Sequence, residues 1–334
     1  MAVFAFLNIN ERKKYFLKAY LCQMKRVKLS FAISIFMLLF HSVHTHAQLP
    51  KVSSGSIKRL ENFSSLYISP RNIDVWLPDG YTDKKKYAVL YMQDGQMLFD
   101  STVTWNKEAW DADDVLDSLL SANKVRDVIV VGIWNGGADR HKDYFPQKPF
   151  ENLSPVEKDT VTAQLKKAGI TKEAFQPQSD NYLKFIVQEL KPYVDKTFST
   201  CTDKENTYIM GSSMGGLISI YAICEYPEVF GGAACLSTHW PGTFTLDNNP
   251  VPNSFINYLN KHLPSPAEHK IYFDCGDQTL DAFYPPIQKE VDAVMKAKGY
   301  TAKNWMTKYF PGENHSEKAW RNRLYIPFTF LLRK

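Results

Sequence analysis

Eight consecutive residues, 127–134, read DVIVVGIW, and this run constrains the fold more than any other part of the chain. Successive side chains of a strand point to opposite faces, so a half-buried strand alternates apolar with polar. Here both faces are apolar and both need cover. Helices packed on either side of a mostly parallel sheet meet that need. Short apolar runs recur at 72–77, 87–92, 207–210, 232–236, 270–275 and 305–310. Helical spacing falls between and after them, at 110–120, 182–194, 214–225, 255–262, 286–298 and 317–332. Strands alternating with helices predict an α/β architecture with a central, mostly parallel sheet and helices on both faces. Segment 136–180 fits neither period and is rich in Pro, Lys and Gln. It is expected to be an insertion over the sheet, either a flap above a substrate or a plain surface excursion.

The charge is uneven along the chain. Of 40 Lys+Arg and 35 Asp+Glu, seven basic residues and one acidic residue lie in 1–47. The remaining 33 basic and 34 acidic residues nearly cancel, so the basic balance belongs to the amino end. A nucleic-acid groove driven by bulk charge loses its main support, and no nucleic-acid partner is expected. Lys25, Arg26 and Lys28 precede an apolar run at 29–40, whose 12 residues are too few to cross a bilayer as a helix. A polar stretch ending Thr45-His46-Ala47 follows, with small residues at the two positions that signal peptidase reads. Residues 1–47 are therefore expected to be a signal peptide cleaved after Ala47. Met24 stands directly before the basic residues, so 1–23 reads as a mis-called upstream start. Residues 48–334 are expected to form a single domain, secreted or periplasmic, with no stable membrane insertion. Cys201, Cys224, Cys235 and Cys275 are widely spaced, and three of them fall on predicted core elements. They read as buried free thiols rather than as metal ligands. Neither a metal nor another cofactor is expected.

The chemistry is expected around Ser213. Gly211-Ser212-Ser213-Met214-Gly215 matches G-x-S-x-G. A strand ends at Gly211 and a helix begins after Ser213, the strand–turn–helix context of the nucleophile elbow in the α/β-hydrolase fold. The two glycines allow strand and helix to approach closely. Ser213 then stands at the carboxyl end of the sheet, where open α/β sheets bind ligands. The Met214 amide, at the amino end of the helix, can hold an oxyanion. A serine nucleophile needs a base, and in this fold the order is Ser, acid, His. Of the five His beyond residue 47 (His141, His239, His262, His269 and His315), only His315 follows the strand that should carry the acid. That strand ends near Cys275, and Asp277 and Asp281 both lie on the loop beyond it. Asp281 has the longer loop before it and Pro285 soon after, so it is the preferred acid, with Asp277 in reserve. Its expected role is to orient His315 and stabilise the imidazolium. The turn after the third strand, Met92-Gln93-Asp94-Gly95-Gln96-Met97, should supply the second oxyanion amide, that of Gln96. Trp105, Trp110, Trp134, Trp240, Trp305 and Trp320 are candidates for stacking on sugar or phenolic rings. Trp240, at the carboxyl end of a strand, is the preferred one. Arg140 is a candidate for holding a carboxylate or phenolic group, or else a surface ion pair.

With these residues in place the sequence resembles the esterase-D-like esterases. That group includes enterochelin esterases, feruloyl and acetylxylan esterases of carbohydrate esterase family 1, and S-formylglutathione hydrolase. The matching pieces are YMQDGQMLFD at 91–100, EAWDADDVL at 108–116 and VVGIWNGGADRHKDYFP at 130–146. They continue with YIMGSSMGGLISIYA at 208–222 and FPGENHSEKAWRNRLYIPFTFLL at 310–332, covering nearly all of 48–334. The resemblance implies a triad of Ser213, an acid near 277–281 and His315. It also implies a secreted serine esterase acting on small-molecule or polysaccharide esters of sugars or phenolic acids. Acyl transfer on the same triad, siderophore-ester hydrolysis and non-catalytic carbohydrate binding are the alternatives. Two departures stand out. The family's Gly-Thr-Glu-Thr-Leu-Asp run is Gly276-Asp277-Gln278-Thr279-Leu280-Asp281 here, and its Arg-x-x-Glu-Tyr is Arg140-His141-Lys142-Asp143-Tyr144.

Overall fold

The computed structural model describes residues 48–334, and the signal peptide expected at 1–47 lies outside the described residues. Residues Leu49–Lys334 form one compact unit. Its centre is an eight-stranded sheet: β1 (Ser56–Phe63), β2 (Arg71–Leu77), β3 (Ala88–Met92), β4 (Val128–Ile133), β5 (Thr207–Ser212), β6 (Gly232–Leu236), β7 (Lys270–Cys275) and β8 (Trp305–Tyr309). The order is β1-β2-β4-β3-β5-β6-β7-β8. The pairs β1/β2 and β2/β4 are antiparallel. All others are parallel. The chain thus has the α/β-hydrolase architecture. The DVIVVGIW run supplies β4, buried along its whole length. The period of two sorts its neighbours cleanly. Val89 and Tyr91 of β3 join one apolar core, while Ala88, Leu90 and Met92 join the other. The sequence pattern missed β1, an edge strand with no fully buried residue that is held in the sheet by pairing with β2.

The helices are α1 (Ala112–Ser121), α2 (Arg140–Tyr144), α3 (Gln147–Glu151) and α4 (Pro155–Lys167), then α5, which runs through Ser179–Lys184, a π-wound Phe185–Leu190 and Lys191–Thr197. They continue with α6 (Met214–Glu225), α7 (Val251–His262), α8 (Tyr284–Ala297), α9 (Glu317–Arg323) and α10 (Tyr325–Leu332). Helices α1 and α10 cover one face, and α5, α6, α7 and α8 the other. The expected single helix at 317–332 is two. Pro327 has no N–H for the Arg323 carbonyl four residues back, and its ring clashes there, so the chain restarts at Leu324.

Segment 136–180 is not a loose excursion. Phe145, Phe150, Val161, Leu165 and Phe175 are buried in the core on the α6 side. Helix α4 opens with a capping box: the Ser154 hydroxyl accepts from the Glu157 amide and the Glu157 carboxylate accepts from the Ser154 amide. Its helical period was hard to read because only Val161 and Leu165 of its thirteen residues are buried. The four cysteines beyond residue 47 are free thiols, three of them buried. Burial pushes the Cys275 thiol up to about 12. No helix among the described residues is long and apolar enough to cross a membrane.

Candidate active site

The turn between β5 and α6 bends the backbone sharply. Ser213 has φ 56° and ψ −124°, a region that L-residues rarely enter and that costs about 1–3 kcal/mol. Three hydrogen bonds hold it there. The Ser213 amide donates to the Leu236 carbonyl at 2.9 Å, and its carbonyl accepts from the amides of Leu217 (3.1 Å) and His239 (3.2 Å). Met214 begins the helix, so its amide belongs to the first turn, where no intrahelical acceptor is available.

Asp281 sits in a short 3-10 turn, Thr279–Phe283, after β7 and is fully buried. Its Oδ1 lies 2.6 Å from Nδ1 of His315. Its Oδ2 accepts from the Gly276 amide at 2.7 Å and from the Ser237 hydroxyl at 2.6 Å. Ser237 Oγ in turn accepts from the Trp320 indole and from Nη2 of Arg323, both at 2.9 Å. Arg323 is anchored on the buried Asp274 at 2.9 Å. The carboxylate therefore has no freedom to turn away from the imidazole. The His315 amide donates to Thr279 Oγ1 at 3.0 Å, and the ring meets Trp320 edge-on with centroids 4.9 Å apart.

Asp277 is placed differently. Its carboxylate accepts from the Tyr309 hydroxyl at 2.6 Å and from the Gly312 amide at 2.9 Å. Those bonds, Tyr309 first, hold its carboxyl below the usual range. It fastens the turn that leads to His315 and does not meet the ring. Gly276 lets the two loops close on each other: a Cβ there would stand 2.1 Å from the Glu313 carbonyl oxygen. Gly276→Ala is expected to destabilise the fold by about 1–3 kcal/mol, the range of overpacking. It should also lower kcat by moving Asp281 against His315. Urea denaturation and ester turnover on the same preparation check both effects.

The turn after β3 is also strained. Asp94 has φ 56° and is followed by the 3-10 turn Gly95–Met97. A Cβ on Gly95 would lie 2.4 Å from the carbonyl carbon of Gly132 in β4, so only glycine lets the turn pack there. The Arg-His-Lys-Asp-Tyr run acts on this turn. Arg140 donates to both carboxylate oxygens of Asp94, from Nε at 2.7 Å and from Nη2 at 2.8 Å. The Tyr144 hydroxyl accepts from the Asp94 amide at 3.3 Å. Asp143 is buried against Arg71 at 3.0 Å and accepts from Gln178 at 2.7 Å. Asn135 donates to Asp94 at 2.7 Å, and its amide donates to the Gln96 side chain at 3.2 Å. Arg140 is thus held in a part-buried ion pair at the cleft, and two of its nitrogens are already taken before any substrate arrives.

Ser213, His315, Gln96 and Arg140 line one cleft of about 700 Å³. Trp240 does not line it. After β6 the chain turns at Ser237 (φ 40°) and sends that indole into the core. There it packs on Phe273 and donates to Gln288 at 3.0 Å. The tryptophans on the cleft are Trp105, Trp110 and Trp320, with Trp105 83% exposed. Glu108 and Glu317 also line it, and burial raises the Glu317 carboxyl above the ordinary range. With Asp94 and Arg140 cancelling, these two carboxylates leave the cleft acidic. Sequence reasoning missed Ser237, Thr279 and Trp320 as supports. The one available signal was Trp320 and Arg323 at a spacing of three just after His315, which places both on one side of a short helix.

Residues 64–331 match the family described as "Putative esterase", and the chain belongs to that family. It is a carboxylic ester hydrolase. It is 25% identical over 284 residues to the endo-1,4-beta-xylanase/feruloyl esterase of Xylanibacter ruminicola, across 84% of this chain and 32% of that longer protein. Among solved structures it is similar to the ferulic acid esterase AmCE1/Fae1A of Anaeromyces mucronatus in complex with ferulic acid. There the TM-score is 0.55 and the identity 19%, over 85% of this chain and 92% of the other. It is also similar to the enterobactin esterase FES of Shigella flexneri, with TM-score 0.60 and 16% identity over 86% and 61% of the two chains. At such identities the solved structures establish the shared fold.

Proposed function

We propose that the protein hydrolyses esters of sugars or phenolic acids through an acyl-enzyme on Ser213, and that it works outside the cytoplasm. The observation that carries this reading is the 2.6 Å pairing of buried Asp281 with His315 on the cleft that Ser213 also lines. Ser213 Oγ attacks the ester carbonyl while His315 takes its proton. Asp281 keeps the proton on Nδ1 of the ring, which leaves Nε2 free to act as the base. The amides of Gln96 and Met214 receive the oxyanion. His315 then returns the proton to the departing alcohol, and water clears the acyl group by the same steps.

Charge supports an uncharged substrate. Glu108 and Glu317 face the cleft, and the fork of Arg140 is engaged by Asp94. A trianionic siderophore would meet two carboxylates and one neutralised arginine. The exposed Trp105 offers a flat apolar surface for a sugar or phenolic ring. The names of the Xylanibacter and Anaeromyces relatives point to feruloyl esters as the first to try. The signal peptide read at 1–47 supports export. Purified protein should turn over methyl ferulate or acetylated xylan as well as p-nitrophenyl acetate, and a fluorophosphonate probe should label Ser213. Turnover of the nitrophenyl ester alone overturns the substrate class. Absence of both turnover and labelling overturns the enzyme reading and favours a carbohydrate-binding role.

A further inference from the structure

The opposite end of the sheet carries a second cavity that this reaction does not use. It is a groove of about 390 Å³ where β7 and β8 begin, against α10. Ser213, Asp281 and His315 follow the carboxyl ends of their strands, whereas Lys270 opens β7. A strand length therefore lies between the two places, about 20 Å at 3.3 Å per residue.

Four cations line this groove, Lys124, Lys270, Lys303 and Arg333, and no carboxylate does. Among the described residues none of the four takes part in an ion pair. The floor is apolar, with Met306 and Phe330 in it. Lys270 is half-buried, and burial, helped by Arg126 and Arg333, holds its ammonium below the usual lysine range. Solvated lysines on a convex surface repel each other weakly through water. Lys124, Lys303 and Arg333 are exposed, so the repulsion is felt most at half-buried Lys270, where the local dielectric is lower. A bound anion relieves that repulsion, and the floor accepts its carbon body. The residues beyond 47 are nearly neutral as a whole, so this is a local concentration of charge and not part of a basic track.

We propose that this groove binds a small organic anion, a carboxylate carried on an apolar body. The acid released by ester hydrolysis has this chemistry, and so does a free fatty acid. The binding does not depend on the assignment of Ser213, and it is tested without turnover. Isothermal titration would use the full protein, with the double variant below separating this groove from the catalytic cleft. The ligands are cinnamate, octanoate and the uncharged cinnamyl alcohol. At low salt one of the acids should bind with a Kd of about 1 mM or tighter, and the alcohol about tenfold more weakly. Lys270→Gln with Arg333→Gln should weaken the acid at least about tenfold, and about 0.5 M salt should weaken it as well. The double variant removes unpaired like charges, so its thermal midpoint should not fall, and that check separates lost binding from lost fold. Tighter cinnamate points to the aromatic acid as the source, and tighter octanoate to the fatty acid. Unchanged affinity in the double variant, or an alcohol that binds as well as the acids, overturns the proposal. So does no binding of either acid at about 10 mM.

Discussion

Ser213→Ala is expected to lower kcat on any accepted ester by about 10⁴–10⁶-fold, the loss seen when a triad nucleophile is removed. Binding of the intact ester should change little, because the cleft keeps its tryptophans and carboxylates. Stability should also change little. Alanine meets the same backbone penalty at φ 56° that serine does. Ser213→Gly supplies a sharper contrast. Glycine adopts positive φ without that penalty, so this variant should be equally inactive yet more stable than Ser213→Ala by about 1 kcal/mol. The pair of variants separates the strain stored at the turn from the chemistry it serves. Turnover of p-nitrophenyl acetate measures the first effect and urea denaturation the second. Residual activity within about tenfold of the parent in either variant would remove Ser213 from the mechanism.

The sheet was legible because apolar runs buried on both faces leave a strong signal. The strands at 232–236 and 270–275 have the same limits in sequence pattern and structure. Strand β1 was not legible, since its residues are held by pairing and carry no apolar alternation. Ser213 and His315 stood out through chain order and local context, which are properties of sequence. The preference for Asp281 over Asp277 rests in the sequence only on loop length and on Pro285, whereas the structure gives it a contact, 2.6 Å to His315. Both lie on one loop, four residues apart, and the path of that loop depends on Thr279 at φ 57° and on contacts with the turn at 312–313. Trp240 shows the limit in another form. Its place just past a strand end was correctly read, but the turn at Ser237 decides which way the indole points. The Arg140-to-Tyr144 run was legible only as a motif. Its physical content, a clamp on Asp94 before the strained turn, needed coordinates.

Asp281→Asn is expected to lower kcat by about 10⁴-fold, while Asp277→Asn should stay within about tenfold of the parent. The reason lies in the donors around Asp281. Oδ2 already receives the Gly276 amide and the Ser237 hydroxyl, both fixed. An asparagine must turn its carbonyl oxygen toward those donors, because its NH₂ has nothing there to accept from it. The NH₂ then faces Nδ1 of His315 and makes that nitrogen the acceptor. The ring proton moves to Nε2, which can no longer take the proton of Ser213. The substitution keeps shape and burial, so the loss falls on kcat and not on folding. At Asp277 the donors are the Tyr309 hydroxyl and the Gly312 amide, and an amide oxygen can still accept from either. The turn before His315 is loosened without reversing the ring. Steady-state turnover of p-nitrophenyl acetate by the two variants checks the prediction. Equal losses at both positions would show that the carboxylate acts by bracing the loop, and an Asp277→Asn loss exceeding that of Asp281→Asn would exchange their roles.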